Sequence, residues 1–408
     1  MVAAQLPPEG ASEEAGREKG CGLTPVIRAM PFSLRLGKQK LVQVFCAVFL
    51  VSLTLSLLQR TNREQARLQR LAKCRKLSRL LETKHLSESV PFYKTASDEE
   101  RVLVAKNWTL GRDDRRLLEH LLLMQDCPWE PNPVAVAQYR AELEHCCNAS
   151  FRLVVTRENA PRKSHIILDG EKGMKLLVNA ELTSLLPERS PFSKSQYRRC
   201  AVVGNGGILK NSSCGVEIDQ ADLVIRFNLP PMNFSEDVGT KTSLVTVNPS
   251  ILYMNFKGLQ AQRKPFADAL RPYGDALVLI PALSFVGHRN VAYRALYTME
   301  DFGLKQQGFF LNPRYLSTLS DYWKNQGLKP LRLSSGFMFV SMALEFCEHI
   351  TLYGFWPFPH DLAEQPILHH YYDNVLPKAG VHAMSSEFSH YLGMYAKGVL
   401  QLRLGKCQ

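Results

Sequence analysis

The 408-residue chain has no Asp-x-Asp, no C-x-x-C pair and no Gly-Lys-Ser or Gly-Lys-Thr, and each absence removes a class of site. Without Gly-Lys-Ser/Thr there is no P-loop for a nucleoside triphosphate. Without C-x-x-C, and with Cys146 and Cys147 adjacent so that both thiolates cannot easily face one ion, the cysteines do not read as zinc ligands. Internal repeats and low-complexity tracts are also missing, which excludes solenoids and long disordered arms. Acidic residues are fewer than basic ones, 38 against 50, for a formal charge of +12. Residues 1–100 carry 16 basic and 10 acidic residues, so half of the excess lies there and the remaining 308 are only modestly positive. No basic stripe with interleaved aromatics occurs, so nucleic acid is not an expected partner, whereas a weak positive field suits small anionic ligands.

One long uncharged run is present. Residues 41–58, between Lys40 and Arg60, contain no charge; as a helix they span about 27 Å, near the hydrocarbon thickness of a thin internal membrane. The run is too long for a signal peptide's apolar core, and no small-residue cleavage site follows it, so an uncleaved anchor is expected. Four acceptor sequons, at Asn107, Asn148, Asn211 and Asn233, and eight cysteines all follow the run. Together they favour a lumenal, oxidising compartment for the C-terminal portion. The expected organisation is a cytosolic tail at 1–40, a type II membrane anchor at 41–58, a stem at 59–100 and a globular domain at 101–408. In the stem, Leu68, Leu71, Cys74, Leu77 and Leu81 recur at helical spacing and line one face. That stripe suggests a homodimer paired through the stem, with Cys74 either bridging two copies or free or bridged within one chain.

Beyond residue 101 the pattern becomes globular. Residues 114–124 and 134–147 read as amphipathic helices and 165–178 as strand and turn. Short apolar runs at 202–203, 223–226, 244–247, 277–280 and 350–353 alternate with helical segments. Such alternation predicts an α/β domain with a mainly parallel sheet covered on both faces and a ligand at the strands' carboxyl ends. The run Cys200-Ala-Val-Val-Gly204-Asn205-Gly206-Gly207 closes a buried strand with three glycines in four positions. Glycine permits close backbone approach, so this turn is expected to aim amides at an anion. It is not a dinucleotide fingerprint, because Leu209 occupies the place of the sixth-position glycine.

Around and after this turn the sequence resembles the animal sialyltransferases in their alpha-2,8 branch. Residues 200–241, with Asp219, Asp222, Asn228 and Gly239, resemble the family's large motif, and Leu333-Ser334-Ser335-Gly336 through Cys347 to Trp356 resembles the small one. His369-His370-Tyr371-Tyr372-Asp373-Asn374 is similar to the third motif, and His382 with Glu387 to the very small H-x4-E motif. The resemblance covers roughly residues 125–408, in order. Upstream, Cys127-Pro128-Trp129 and Cys146-Cys147 most resemble the branch's sixth, disialic-acid-forming member. Phe227, Ser335 and Ser385 depart from the family's usual cysteine, threonine and proline, which bears on donor affinity and local backbone fit.

The resemblance implies a single Rossmann-like domain, a glycosyltransferase A-type variant with a mainly parallel sheet, in the Golgi membrane. The implied reaction moves sialic acid from CMP-sialic acid to the 8-hydroxyl of a terminal sialic acid on a glycoprotein or glycolipid. It implies bridges Cys200–Cys347 and Cys214–Cys407; the partners of Cys127, Cys146 and Cys147 stay open, Cys127 with one of the adjacent pair being one arrangement. Metal-dependent enzymes of related fold hold the leaving phosphate through a metal on Asp-x-Asp; lacking it, this chain is expected to need no cofactor and to stabilise the phosphate with fixed donors. His382 is then the implied general base and His370 the phosphate donor. Asn205, Asn228, Ser334, Ser335 and Gly336 are the implied donor-binding set, and Trp356 a pocket wall. Glu387 is expected to orient its helix, and Asp219 and Asp222 to cap turns. Alternatives are alpha-2,3 or alpha-2,6 linkage, or a catalytically silent glycan-binding membrane protein. A dinucleotide oxidoreductase fails on Leu209.

Overall fold

A computed structural model describes residues 38–82, 112–125, 127–171, 173–193, 196–328, 332–376 and 382–407. The chain divides into two units, residues 1–66 and 67–408. The helix Lys38–Glu82 begins in the first, and it is the one helix among the described residues long and apolar enough to cross a membrane.

The second unit is built on a seven-stranded sheet. Its strands are β3 (Tyr197–Val203), β4 (Leu223–Phe227), β5 (Leu244–Thr246), β6 (Leu277–Ile280), β7 (Gln307–Phe310), β8 (Cys347–Tyr353) and β9 (Gln401–Arg403). A separate antiparallel hairpin pairs β1 (His165–Ile167) with β2 (Lys175–Leu177). The order in the large sheet is β7-β6-β5-β4-β3-β8-β9, and every neighbouring pair is parallel. From β3 the chain winds outward to β7, then returns to lay β8 on the other side of β3. The winding therefore reverses between β3 and β8, and a parallel sheet opens a crevice at the carboxyl ends of the strands on either side of such a reversal.

Alternate side chains of the strands enter opposite layers, as the two-residue period of a strand requires. Leu223, Ile225 and Phe227 join one large core, which also takes in helix Ser335–Phe346. Val224 points the other way, with Ala201, Val203 and Tyr371. Under β5 to β7 that second face is filled by Val245, Val278, Ile280 and Phe310. Helix Ser335–Phe346 is apolar nearly all round because it is buried nearly all round: every residue from 337 to 346 is enclosed. Arg226 is the outlier, fully buried on β4, with its guanidinium donating to the carbonyls of Val238 and Lys241 and to the Thr242 hydroxyl.

Four disulfides brace the unit. Cys200–Cys347 ties β3 to β8 across 147 residues and Cys214–Cys407 closes 193, both as the resemblance implies. In the chain-entropy model loops of this length are worth roughly 4–5 kcal/mol each. The other two bridges decide between pairings that the sequence leaves open. Cys74 pairs within the chain, with Cys127, so its sulfur is not offered to a second copy. Cys146 and Cys147 bond to each other, so Cys127 pairs with neither. Of the sequons, Asn107 lies outside the described residues, and Asn211 and Asn233 are exposed. Asn148 caps a short helix through its carbonyl oxygen, which accepts from the Phe151 amide and the Ser150 hydroxyl.

Candidate active site

At the carboxyl end of β3 the glycine turn does something other than what its sequence predicts. The Gly204 amide donates to the Tyr353 carbonyl at 2.7 Å, Gly206 to Gly354 at 3.0 Å and Gly207 to His369 at 3.1 Å. These amides are bonded to the protein and are not aimed at an anion. The glycines are nonetheless required, because a Cβ on Gly206 would come within 2.5 Å of the Gly354 carbonyl oxygen and one on Gly207 would collide with that of Leu368. The turn is a backbone-on-backbone joint that fastens the end of β3 to the end of β8 and to the segment carrying His370.

That joint delivers two of the expected side chains. The Asn205 carbonyl accepts from the Tyr371 amide, and its side-chain nitrogen donates to Phe227 at 3.0 Å. Its side-chain oxygen is buried with no partner, a vacancy suited to a ligand donor. His370 stacks on Tyr372, with centroids 5.1 Å apart, and its Nδ1 lies 2.7 Å from Asp373 Oδ1. Partial burial would raise the Asp373 carboxyl, but the Val375 amide and the His370 ring outweigh it and hold the group below its ordinary value. A carboxylate at Nδ1 accepts its hydrogen and fixes the ring's direction, with Nε2 turned away from Asp373.

One strand over, Asn228 leaves β4 in the left-handed region (φ 62°), and its side-chain oxygen accepts from the Asn248 amide at 3.2 Å. Asn248 reaches Ser335 through its side chain at 3.5 Å. Ser335 and Gly336 are the first two residues of helix Ser335–Phe346, where helix geometry supplies no acceptor for the amides. Amides without an intrahelical acceptor, which the glycine turn does not offer, are thus found at the start of this buried helix. Ser334 is not free to join them as a donor: its N–H bonds Glu387 Oε1 at 2.8 Å, its hydroxyl donates to Oε2, and its oxygen caps the Phe337 amide.

Glu387 is 1% exposed, and burial pushes its carboxyl up to about 7 in spite of the two bonds from Ser334. Five residues before it, His382 is exposed, with Nδ1 2.9 Å from the Arg332 carbonyl oxygen. A carbonyl can only accept, so Nδ1 carries the hydrogen and Nε2 of the neutral ring holds the lone pair. His382 and Glu387 thus grip the two ends of the tripeptide Arg332-Leu333-Ser334, which leads directly into the helix start. The H-x4-E spacing fits this two-point attachment.

Phe355, not singled out in the sequence, sits at the junction. A Cβ on Gly204 would lie 3.3 Å from its ring and one on Gly336 2.9 Å, and the ring meets Phe227 and Tyr391 edge-on. Trp356 corrects an expectation: it is 7% exposed, donates to the His360 carbonyl and packs on Phe358 and Phe388, so it belongs to the core and not to a pocket wall. Asp219 and Asp222 are structural as expected, the first accepting from Thr240 and Lys241, the second from the Arg199 amide. Among the described residues no group of three or more His, Cys, Asp or Glu is placed to hold a metal ion.

A fully parallel, reversing sheet with Asn205 and Asn228 just beyond the carboxyl ends of β3 and β4 is a Rossmann-like frame. Residues 154–399 match the model of glycosyltransferase family 29 (sialyltransferase), and the chain belongs to that family. It is 40% identical over 304 residues to human alpha-2,8-sialyltransferase 8F, covering 74% of this chain and 76% of that one. It is 42% identical to mouse alpha-2,8-sialyltransferase 8E, with 71% of each chain covered. To the alpha-N-acetylneuraminide alpha-2,8-sialyltransferase of Xenopus tropicalis it is 44% identical, covering 69% of this chain and 81% of the relative. A solved mammalian sialyltransferase matches with 21% identity and a TM-score of 0.36 over 74% of this chain and 89% of its own.

Proposed function

We propose that this enzyme transfers sialic acid from CMP-sialic acid to the 8-hydroxyl of a terminal sialic acid on a glycoprotein or glycolipid. The observation that carries the reading is the free Nε2 of His382, set by the Nδ1 bond to Arg332, on the segment that also fixes the amides of Ser335 and Gly336. In this mechanism Nε2 takes the proton from the acceptor hydroxyl as its oxygen bonds the donor's anomeric carbon. The carbon–oxygen bond to CMP breaks from the opposite face, so configuration inverts. Negative charge gathering on the leaving phosphate is met by His370 Nε2–H, its imidazolium supported by Asp373, and by the helix-start amides. Asn205 and Asn228 hold the nucleotide.

The reading includes no metal, since the sequence offers no Asp-x-Asp and fixed donors are available for the phosphate. The helix Lys38–Glu82 serves as the anchor of a single-pass Golgi protein whose catalytic unit is lumenal, consistent with four disulfides and two exposed sequons. The test is linkage analysis of products made by the full-length enzyme from CMP-sialic acid and paired acceptors ending in sialic acid or in galactose, with and without a chelator. Alpha-2,8 product on the sialylated acceptor, undiminished by chelation, is the expected result. Product on galactose alone would indicate alpha-2,3 or alpha-2,6 linkage, and no product with either would indicate a silent glycan binder.

A further inference from the structure

The tripeptide at 332–334 holds the base at one end and Glu387 at the other, and its upstream end is anchored through the Arg332 side chain. That guanidinium reaches Asp169 Oδ2 at 3.1 Å and the Ser284 hydroxyl at 2.7 Å, and lies 5.4 Å from the centre of the Phe285 ring. Both polar partners are enclosed, the Asp169 side chain being 8% exposed and Ser284 1%. The two supporting segments are fastened together, because the Gly170 amide donates to the Ser284 carbonyl at 2.9 Å and a Cβ at Gly170 would strike the Phe285 ring.

We infer that Asp169 and Arg332 are positioning residues for the reaction, a buried clamp that fixes the Arg332 carbonyl and through it the tautomer and aim of His382. This inference rests on the reading of His382 as the base. Three different contacts around a planar guanidinium set its direction as well as its place. A carbonyl so held keeps the imidazole hydrogen on Nδ1. If it swings away, the ring is free to carry its hydrogen on Nε2, where no proton can then be accepted. Neither residue touches the reacting atoms in this account, and neither contributes binding energy for donor or acceptor.

The test uses full-length Asp169→Asn, Arg332→Lys and Arg332→Ala enzymes, with thermal melting and CMP binding as controls for folding. Asp169→Asn keeps the shape but removes the charge; kcat is expected to fall about 10- to 100-fold, with KM for both substrates within about twofold, the scale of loss when a reacting group is misaimed. Arg332→Lys, which retains charge without the fork, should fall between wild type and Arg332→Ala. With histidine labelled by nitrogen-15, the His382 ring should be a single Nδ1–H tautomer in wild type and a mixture in Asp169→Asn. Unchanged kcat, a raised acceptor KM at normal kcat, or a rate loss matched by loss of folded protein would each overturn the clamp. His382→Ala separates the two claims: if it is inactive while Asp169→Asn is normal, the clamp alone fails, and if it turns over normally the base assignment fails with it.

Discussion

Two glycine-bearing turns meet at the site, and they do opposite things. The turn at 204–207 has three glycines, yet the amides of Gly204, Gly206 and Gly207 bond to Tyr353, Gly354 and His369. The turn at 334–336 has one glycine and two serines, and it opens a buried helix whose first amides have no acceptor within the helix. Glycine density reports close approach, but not what is approached. In the first turn it is the protein's own backbone; in the second, helix geometry leaves the donors over. The first turn is therefore a joint, and the second is the binding element of the proposed function.

Substitutions that add the same methyl group to each turn should separate those roles. Gly207→Ala has the largest expected effect: its Cβ meets the Leu368 backbone, which cannot move without breaking the joint. We expect loss of about 3 kcal/mol or more and little folded enzyme, checked by thermal melting and secreted yield. Gly336→Ala meets only the edge of the Phe355 ring at 2.9 Å. It should lower stability by about 1 kcal/mol while reducing kcat/KM for the donor roughly thirtyfold in steady-state kinetics. Asp373→Asn, which removes the partner of His370 Nδ1, should lower kcat about tenfold with folding intact.

A separate effect concerns pH. Burial raises Glu387 and Glu345 to about 7 from an ordinary 4.5. Between those values the folded chain binds more protons than the unfolded one, so stability falls as pH rises through that window and is level above it. Glu345 accepts from the Ala149 amide, away from the proposed chemistry. Glu345→Gln, uncharged throughout, should flatten the pH dependence of the melting temperature, removing on the order of 2 kcal/mol of variation between pH 5 and 8.

The parts legible in the sequence were those that depend on local pattern. Apolar runs located β4, β5 and β6, and alternation with helices predicted a parallel sheet, as found. The ordered motifs brought His370, His382, Asn205 and Asn228 to the positions described. What escaped depends on contacts between distant segments. β9 is three residues long, too short to stand out. Helix Ser335–Phe346 is enclosed on all sides and so shows no amphipathic period. Cys74 lies on a helical stripe that suggested a second copy, and nothing local marks Cys127 as its partner, 53 residues on. Trp356 follows a strand at the site, but which way its ring turns is set by Phe358 and Phe388. Arg332 carries no motif at all; its role is visible only once Asp169, Ser284 and His382 surround it.

The central claim is that His382 removes the acceptor proton while other residues hold the nucleotide. Pre-steady-state transfer by full-length His382→Ala, measured alongside CMP binding to the same preparation, tests it most directly. The account predicts a transfer rate reduced about a thousandfold with CMP affinity essentially unchanged. A near-normal rate, or CMP binding lost in step with transfer, would contradict it.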